Sequence, residues 1–300
     1  MSQSEPSYKQ QNFEKPQSTK PVCNRIAIVF DFDETLGSDT YDEAIKSLGL
    51  DVQAFRQKYY EPLKEQDWDH TLARAYTLIQ ESQRREPGDR ITRDRLIQIG
   101  QNLQMFDGLD AMFDRLHHRV HELNPKVELE FYIISGGIEE IACHTPISSH
   151  FKKIWACQFQ YNSQGEIEFI KRSVSHTEKT RYLMQIASGD HNVEQNGRSF
   201  AYRDVPENQL HVPLSQVIYV GDGASDLPCF SIVNDESGIT LGVYKDAQEW
   251  NEQIQVTESQ RVTNLAAADY REESELMRSL LLSVESLCKQ IALRQLSVGE

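Results

Sequence analysis

Two short apolar segments of this chain each run directly into a loop that carries carboxylates, and this repeated arrangement constrains the fold more than any other feature. Ile26–Phe30 is followed by Asp31 and Asp33, and Val217–Val220 is followed by Gly221-Asp-Gly-Ala-Ser-Asp226. Uninterrupted apolar runs of this length are typical of strands buried on both faces of a parallel sheet. Because ligands bind at the carboxyl ends of such strands, the two acidic loops are expected to form one site.

Further strand-like segments extend the predicted sheet. They are Val127–Ile134, Ile154–Phe159 and Ile239–Tyr244, with helical patterns between several of them. Asn162-Ser-Gln-Gly165 has the composition of a hairpin turn that joins residues 156–161 to residues 166–171. The sequence therefore predicts an α/β fold with a parallel sheet covered on both faces.

Residues 38–105 differ from the rest in having helical spacing, few glycines and no strand-like run. The predicted helices are Tyr41–Leu48, Val52–Glu65, His70–Arg84 and Ile91–Leu103. This pattern indicates a helical module inserted directly after the first acidic loop.

The remaining segments are assigned by composition and spacing. Residues 1–22 have almost nothing to bury and are predicted to be a disordered tail. Residues 188–214, with Gly, Asn and two prolines, are predicted to be an irregular surface excursion. Apolar residues at 276, 280, 284, 287 and 291 predict an amphipathic helix, Glu272–Leu293, that packs on the core.

Charge and composition exclude several classes of partner. The formal net charge of −15 argues against a nucleic-acid binder, which needs clustered Lys and Arg. No apolar stretch approaches the roughly 20 residues that cross a bilayer, and the N-terminus lacks the apolar core of a signal peptide. The five cysteines are dispersed without a CxxC pair, which is typical of reduced thiols. We therefore expect a cytoplasmic protein without nucleic-acid or membrane partners, and the sequence leaves its oligomeric state open.

Asp31 and Asp33 are the first candidates for chemistry. Residues two apart in extended chain face the same side, so the two carboxylates can address one reacting atom. A calcium-binding EF-hand loop is excluded, because it needs Gly at its sixth position and Glu at its twelfth, where this chain has Leu36 and Asp42. Taken alone, the pair is also consistent with acids that cap a turn.

Asp222 and Asp226 supply further carboxylates at the predicted end of the second strand. Together with Asp31 and a backbone carbonyl they would form an oxygen-only environment that suits Mg²⁺. Taken alone, Gly221-Asp222-Gly223 is more typical of a tight turn.

Ser135-Gly-Gly137 and Lys179 are candidates for binding an anion. The first follows a predicted strand and is expected to open a helix at Ile138, where free backbone N–H groups attract negative charge. Lys179 follows a predicted capping box, Ser175–Glu178, and a cation at a helix start suggests an anionic partner. The alternatives are a glycine-rich turn with Ser135 as helix cap, and a solvated surface lysine.

Taken together, these segments resemble the motifs of the haloacid dehalogenase-like (HAD) superfamily. The matching residues are Asp31–Leu36, Ser135, Lys179 and Gly221–Asp226, in this order. The resemblance covers residues 25–37 and 106–245, and the helical insert is similar to the type C1 cap of the phosphoserine phosphatase-like branch. It implies a Rossmann-like core at 23–37 and 106–250, a cap at 38–105, and a C-terminal extension at 251–300.

The resemblance implies a Mg²⁺-dependent phosphatase that cleaves a small-molecule phosphate monoester through an aspartyl-phosphate. Asp31 would be the nucleophile and Asp33 the general acid and base, which requires the pKa of Asp33 to lie above the reference of ~3.9. Crowding by Asp31 and Asp222 would raise it. The implied metal ligands are Asp31, the main-chain carbonyl of Asp33, Asp222 and Asp226, and the implied phosphate-binding residues are Ser135, Gly136 and Lys179.

The substrate and the fate of the phosphoryl group are less constrained. Phosphoserine enzymes are expected to hold the amino acid with an acid soon after the first motif and an arginine in the cap. Asp39, Glu43 and Arg74 lie in that region, although Ser225 replaces the Asn often found in the fourth motif. Charged residues on the cap helices are otherwise expected to be solvated. A phosphotransferase or phosphomutase, and a non-catalytic regulatory protein that binds a metal or phospho-ligand, remain alternatives.

Overall fold

A computed structural model describes residues 22–189, 205–206, 209–245 and 262–298 of the chain. The strands are β1 Arg25–Phe30, β2 Glu128–Ile138, β3 Lys153–Tyr161, β4 Ile167–Arg172, β5 Val217–Gly221, β6 Ile239–Tyr244 and β7 Asn264–Ala267. They form a seven-stranded sheet in the order β4-β3-β2-β1-β5-β6-β7. All neighbours are parallel except β3 and β4, which form the antiparallel hairpin. The predicted α/β fold with its Rossmann-like sheet is confirmed.

Strand β1 lies at the centre of the sheet because its apolar run is covered on both faces. Ile26, Ile28 and Phe30 pack into the core on one face, and Ala27 and Val29 pack into the core on the other. Burying one aliphatic side chain contributes about 1.5 to 3 kcal/mol. The strand therefore fixes the position of the acidic loop that follows it.

Residues 40–102 are mainly helical, as predicted. The helices are α1 Thr40–Ser47, α2 Val52–Phe55, α3 Glu61–Lys64, α4 His70–Gln83 and α5 Arg93–Asn102, with a π-helical turn, Arg56–Tyr60, between α2 and α3. Asp39, Asp51, Asp69 and Thr92 begin four of these helices, because each side chain accepts a hydrogen bond from a backbone N–H in the first turn. We refer to residues 38–105 as the helical insert.

The helical insert is attached to the rest of the chain at two places. The segments that enter and leave it pair with each other, and the N–H of Phe106 donates to the carbonyl of Leu36 (3.0 Å). The β3–β4 hairpin meets the segment before α5, where the N–H of Ile167 donates to the carbonyl of Ile91 (3.0 Å). The insert is thus held against the hairpin as well as at its own ends.

The remaining helices cover both faces of the sheet. They are α6 Leu109–Leu123, α7 Glu139–Ala142, α8 His176–Ser188, α9 Leu227–Asp235 and α10 Glu275–Val298. Helix α10 packs against α6 and against β6 and β7. The predicted amphipathic helix is confirmed, because its apolar positions are buried: Leu276, Leu280, Val284, Leu287 and Ile291.

Strand β7 is absent from the sequence prediction. Its four residues, Asn-Leu-Ala-Ala, include no β-branched or aromatic side chain, and they join the sheet by parallel pairing with β6. The predicted tail at 1–22 and excursion at 188–214 lie largely outside the described residues. Within the part of the chain that the structure describes, no helix is both long and apolar enough to cross a membrane.

Candidate active site

Asp31 is placed by a backbone hydrogen bond just beyond the end of β1. Its N–H donates to the carbonyl of Val220 in β5 (2.8 Å). In the buried carboxylate, Oδ1 accepts from the N–H of Phe32 (2.7 Å) and Oδ2 lies 3.0 Å from Nζ of Lys179. Burial raises the pKa of Asp31 to about 6, although Lys179 opposes this rise. Asp31 is therefore a mainly ionised carboxylate at neutral pH, beside a cation at the sheet edge.

The carboxylate of Asp33 is held by the first residue of α1. Thr40 donates its backbone N–H to Oδ1 (3.0 Å) and its hydroxyl to Oδ2 (3.2 Å). The same hydroxyl accepts a hydrogen bond from the N–H of Ile138, the last residue of β2 (2.9 Å). Asp33 is thereby tied to both the helical insert and the sheet.

The pKa of Asp33 is raised well above its usual range. Burial is the main cause, Asp39 and Asp31 add to it, and Arg74 opposes it. The direction agrees with the prediction. The charged residues that raise this pKa differ from the predicted ones, which were Asp31 and Asp222. Asp39 raises the pKa of Asp33 more than Asp31 does.

The expected helix start after Ser135-Gly136-Gly137 is right to within one residue, because Ile138 is the N-cap of α7, but the three residues before it belong to a strand. Strand β2 continues through these residues to Ile138, with a shift of register against β3 after Ile134. The helix that follows begins at Glu139 and has four residues. Gly136 and Gly137 have no side chains, and the strand continues through them. Because its register against β3 shifts here, the segment is an irregular strand end.

Gly137 has to be a glycine because two side chains approach its backbone closely. A Cβ there would lie 2.7 Å from Oδ1 of Asp33 and 2.7 Å from Oγ1 of Thr40. The N–H of Gly137 donates to Oγ of the fully buried Ser135 (3.0 Å). The backbone of Gly137 therefore lies against Asp33 and Thr40, which a side chain at this position would prevent.

Helix α8 begins where the sequence predicted, but the predicted capping box is not formed. Ser175 is the N-cap residue, yet its hydroxyl makes no capping hydrogen bond. Glu178 accepts from Arg181 (2.6 Å) instead of from the N-cap backbone. The prediction is right about the start of the helix and wrong about its hydrogen bonds.

Lys179 is buried, so the alternative of a solvated surface lysine is wrong. Its side chain is 1% exposed, and Nζ lies 3.0 Å from Oδ2 of Asp31 and 2.8 Å from Oδ1 of Asp226. It also donates to Oγ of Ser225 (3.0 Å). Burial disfavours the charge, but Asp226 and Asp31 outweigh burial and raise the pKa of Lys179.

Asp31, Asp222 and Asp226 each bring a carboxylate oxygen within 4.8 Å of the others. A Cβ on Gly221 would lie 2.4 Å from the carboxyl carbon of Asp226, so glycine is required for this approach. Burial, Asp31 and Asp226 together raise the pKa of Asp222 well above its usual range, as expected where carboxylates crowd together. This cluster of oxygen donors, with negative charge in excess of the one ammonium beside it, fits a hard cation.

The site opens into a cavity of about 790 Å³ between the sheet edge and the helical insert. Six of the predicted site residues line its floor: Asp31, Asp33, Ser135, Gly136, Lys179 and Asp222. The insert supplies the opposite wall, which includes Asp39, Tyr41, Asp42, Arg56, Tyr60, His70 and Arg74. The four motifs therefore meet in one cavity.

Comparison with known sequences gives no assignment by itself. No protein-family model matches the chain. An uncharacterized protein from Borreliella burgdorferi is 26% identical over 298 residues, which cover 89% of this chain and 98% of that protein.

Solved structures are similar to most of the chain. A HAD family hydrolase from Salmonella enterica subsp. enterica serovar Typhi has a TM-score of 0.56 at 16% identity, covering 90% of this chain and 73% of its own. A probable phosphoserine phosphatase from Vibrio cholerae has a TM-score of 0.53 at 15% identity, covering 91% and 69%. A phosphoserine phosphatase with an analogue of its phospho-aspartyl intermediate has a TM-score of 0.51 at 12% identity, covering 86% and 98%. The chain has the HAD fold. The predicted resemblance, including that to phosphoserine phosphatases, is confirmed at the level of the fold.

Within this HAD fold, two charged residues of the helical insert, Arg74 and Asp39, lie close to Asp33 or to each other. Arg74 pairs with Asp39, lies 3.9 Å from Oδ2 of Asp33, and stacks 4.3 Å from the ring centroid of Tyr41. The side chains of Arg74 and Asp39 are 13% and 12% exposed. The expectation of solvated helix charges is therefore wrong for this pair.

Sequence reasoning missed two polar residues of the HAD core and its insert. Thr40 holds Asp33, and Tyr219 donates its hydroxyl to Oδ1 of Asp226 (2.8 Å). A threonine at a helix start and a tyrosine in an apolar strand both have ordinary structural roles, so neither carries a signal in the sequence. The sequence holds one hint for Tyr219: it lies two residues before Gly221 in a strand, so its side chain faces the same side of the sheet as position 221.

Proposed function

We propose that the chain is a Mg²⁺-dependent phosphatase that hydrolyses a small-molecule phosphate monoester through an aspartyl-phosphate intermediate. The observation that carries this proposal is the meeting of Asp31, Asp33, Lys179 and Asp222 at the floor of one cavity. The buried carboxylate of Asp226 lies beside Lys179 and close to the carboxylates of Asp31 and Asp222. The fold similarity to HAD hydrolases and phosphoserine phosphatases supports it.

In the first step, a carboxylate oxygen of Asp31 attacks phosphorus and the bond from phosphorus to the alcohol oxygen breaks. Asp33 gives its proton to the departing alcohol, and its raised pKa supports this role. Lys179 and Ser135 hold the transferring phosphoryl group, where negative charge develops.

In the second step, Asp33 removes a proton from water and the water oxygen attacks phosphorus. The bond from phosphorus to Asp31 breaks, which releases inorganic phosphate and restores both carboxyl groups to their starting states. Thr40 keeps Asp33 in place during both proton transfers, because it bonds to both carboxylate oxygens.

The donor set suits Mg²⁺, which would be held by Asp31, the main-chain carbonyl of Asp33, Asp222 and Asp226. When bound, the ion would neutralise negative charge on the phosphoryl group during transfer. Oδ1 of Asp226 already accepts from Lys179 and Tyr219, whereas Oδ2 has a longer contact, from Oγ of Ser225 (3.4 Å), so Oδ2 is the oxygen that Asp226 would offer, directly or through water.

The alcohol part of the substrate is proposed to be small, polar and charged, as in phosphoserine. The cavity wall presents both signs of charge close to Asp33, in the pair Asp39 and Arg74. An ammonium group and a carboxylate on one small molecule match such a pair.

The decisive test is the Asp31→Asn variant with para-nitrophenyl phosphate and Mg²⁺. The proposal predicts a fall in kcat of at least about a thousandfold, because the amide cannot form the aspartyl-phosphate. Circular dichroism and calorimetric binding of inorganic phosphate would confirm that the variant is folded. Retained turnover in D31N would contradict the mechanism. Labelled phosphate that ends on an added alcohol instead of in water would identify a phosphotransferase.

A further inference from the structure

Tyr219 brings a hydroxyl group to the carboxylate that anchors Lys179. Tyr219 lies in β5 and is fully buried. Its hydroxyl donates to Oδ1 of Asp226 at 2.8 Å, and the same oxygen accepts from Nζ of Lys179 at 2.8 Å. A phenol is protonated at neutral pH, so Tyr219 acts as the donor in this contact.

We propose that Tyr219 is a positioning residue for the phosphoryl-binding lysine: its hydroxyl holds Asp226 in the orientation that directs the Lys179 ammonium toward Asp31. This inference rests on the proposed function, in which Lys179 holds the phosphoryl group. It assigns a role to a strand residue that does not line the cavity.

The carboxylate of Asp226 needs such a fixed partner. The terminal torsion of an aspartate is broad, so a contact with a flexible lysine alone restrains the carboxylate weakly. Two donors on Oδ1 and a longer contact from Oγ of Ser225 to Oδ2 (3.4 Å) restrain that torsion. A carboxylate oxygen of Asp226 then lies within 4.8 Å of one of Asp31 and one of Asp222. The ammonium of Lys179 is then held between two acids at fixed positions.

Packing alone does not require the hydroxyl of Tyr219. Its ring makes an edge contact with Phe230 at 5.6 Å between centroids, inside an apolar cluster between the sheet and helices α8 and α9. A phenylalanine would fill the same space. A buried hydroxyl is costly unless it is hydrogen-bonded, and the bond it makes here is to Asp226. The hydroxyl therefore serves the site.

The test compares Tyr219→Phe with Tyr132→Phe. Tyr132 is a matched control because it is fully buried in the same cluster, and its hydroxyl also donates to a carboxylate, Oε2 of Glu130 (2.6 Å), near the amino end of β2. Two quantities are measured with Mg²⁺ present and well below the melting temperature. They are the binding of inorganic phosphate by calorimetry and the kcat for para-nitrophenyl phosphate.

We expect Y219F to weaken phosphate binding and to lower kcat, each by about tenfold, because the lost bond is to a charged group. Y132F should leave both quantities within about twofold of the unaltered protein. The inference would be overturned if the two variants had equal effects on phosphate binding and kcat. It would also be overturned if Y219F changed only the melting temperature, or if Y219F did not fold. If the unaltered protein showed no turnover, the proposed function would fail, while the phosphate-binding comparison would still decide the role of Tyr219.

Discussion

Thr40 joins three parts of the site through a single residue. Its backbone N–H and its hydroxyl hold the two oxygens of Asp33, and the hydroxyl accepts from the N–H of Ile138. The orientation of the Asp33 carboxylate, the proposed general acid and base, therefore depends on Thr40, the first residue of α1. This is a property of one side chain, and it can be tested by replacing its hydroxyl with a methyl group.

Replacing Thr40 with valine keeps the shape of the side chain and the backbone N–H but removes the hydroxyl. Protonation of the leaving oxygen matters most for poor leaving groups, so we expect kcat/KM for an alkyl phosphate to fall about 30-fold. For para-nitrophenyl phosphate, a good leaving group, we expect a loss of less than about threefold. T40S keeps the hydroxyl and should retain both activities. Equal losses on the two substrates would contradict the role of Thr40.

The sequence predicted the positions of some residues of the site and not the contacts of others. The positions of Asp31 and Asp222 were predictable, because an apolar strand fixes where its last residue emerges. The contacts of Thr40 with Ile138 and of Tyr219 with Asp226 were not, since they depend on side-chain directions set by packing. The catalytic and phosphate-binding roles assigned to these residues stay predictions.

Among the secondary-structure elements, β2 also carries a partly buried carboxylate, that of Glu130, far from its irregular end. Glu130 in β2 accepts from Tyr132 (2.6 Å) and His211 (2.7 Å), and it is paired with Lys152. Burial opposes the ionisation of Glu130, but hydrogen bonds from Lys152, Tyr132 and His211 outweigh burial and lower its pKa. The cluster therefore stabilises the junction of β2 with the segments around residues 152 and 211 while Glu130 is ionised.

Because the pKa of Glu130 is lower in the folded than in the unfolded chain, its contribution is fully present above the usual value of 4.5 and is lost as the pH falls through the folded value. We expect Glu130→Gln to lower the free energy of unfolding by about 1 to 3 kcal/mol at pH 7. The difference should shrink steadily below about pH 4.5. Urea unfolding at a series of pH values measures it.

Glu128→Gln is the control for this experiment, because the side chain of Glu128 is 64% exposed and pairs with Arg25 at the surface. Its effect should be less than about 1 kcal/mol at every pH. A difference between E130Q and the unaltered protein that stayed constant from pH 7 to pH 3 would show that the ionisation of Glu130 is not responsible.

Elements with a strong local pattern were predicted and elements without one were not. Strands β1 and β5 are continuous apolar runs and the helices of the insert follow apolar periodicity, and both patterns can be read from the local sequence. Strand β7 has no such pattern and exists through its pairing with β6. The predicted end of β2, at Ile134, came too early, because Ser135-Gly136-Gly137 looks locally like a turn and the strand continues through it to Ile138.

For the molecule as a whole, negative charge exceeds positive charge. The chain carries a formal net charge of −15, and three of its acids, Asp31, Asp222 and Asp226, gather around the ammonium of Lys179. Like charges at this distance repel and cost stability in the folded state. A bound cation would relieve that cost, so folding and metal binding are expected to be coupled.

Addition of Mg²⁺ at about 100 times its dissociation constant should raise the free energy of unfolding by about 2.7 kcal/mol, seen as a rise in melting temperature. Asp222→Asn should lose most of this response. Without Mg²⁺, the same variant should melt at or above the temperature of the unaltered protein, because one repelling charge is gone. Glu61→Gln removes a charge from the cavity wall and should keep the full response. A D222N variant with an undiminished response would contradict the metal site.

The two attachments of the helical insert bear on which molecules the protein accepts. Pivoting of the insert away from the sheet would have to break the Ile91–Ile167 backbone contact at the hairpin, or bend the paired segments that enter and leave the insert. The insert is thus fastened to the rest of the chain on two sides. Under the proposed function, choice among phosphate esters would then depend on the width and charge of the cavity entrance, and we expect bulky phosphorylated macromolecules to be excluded.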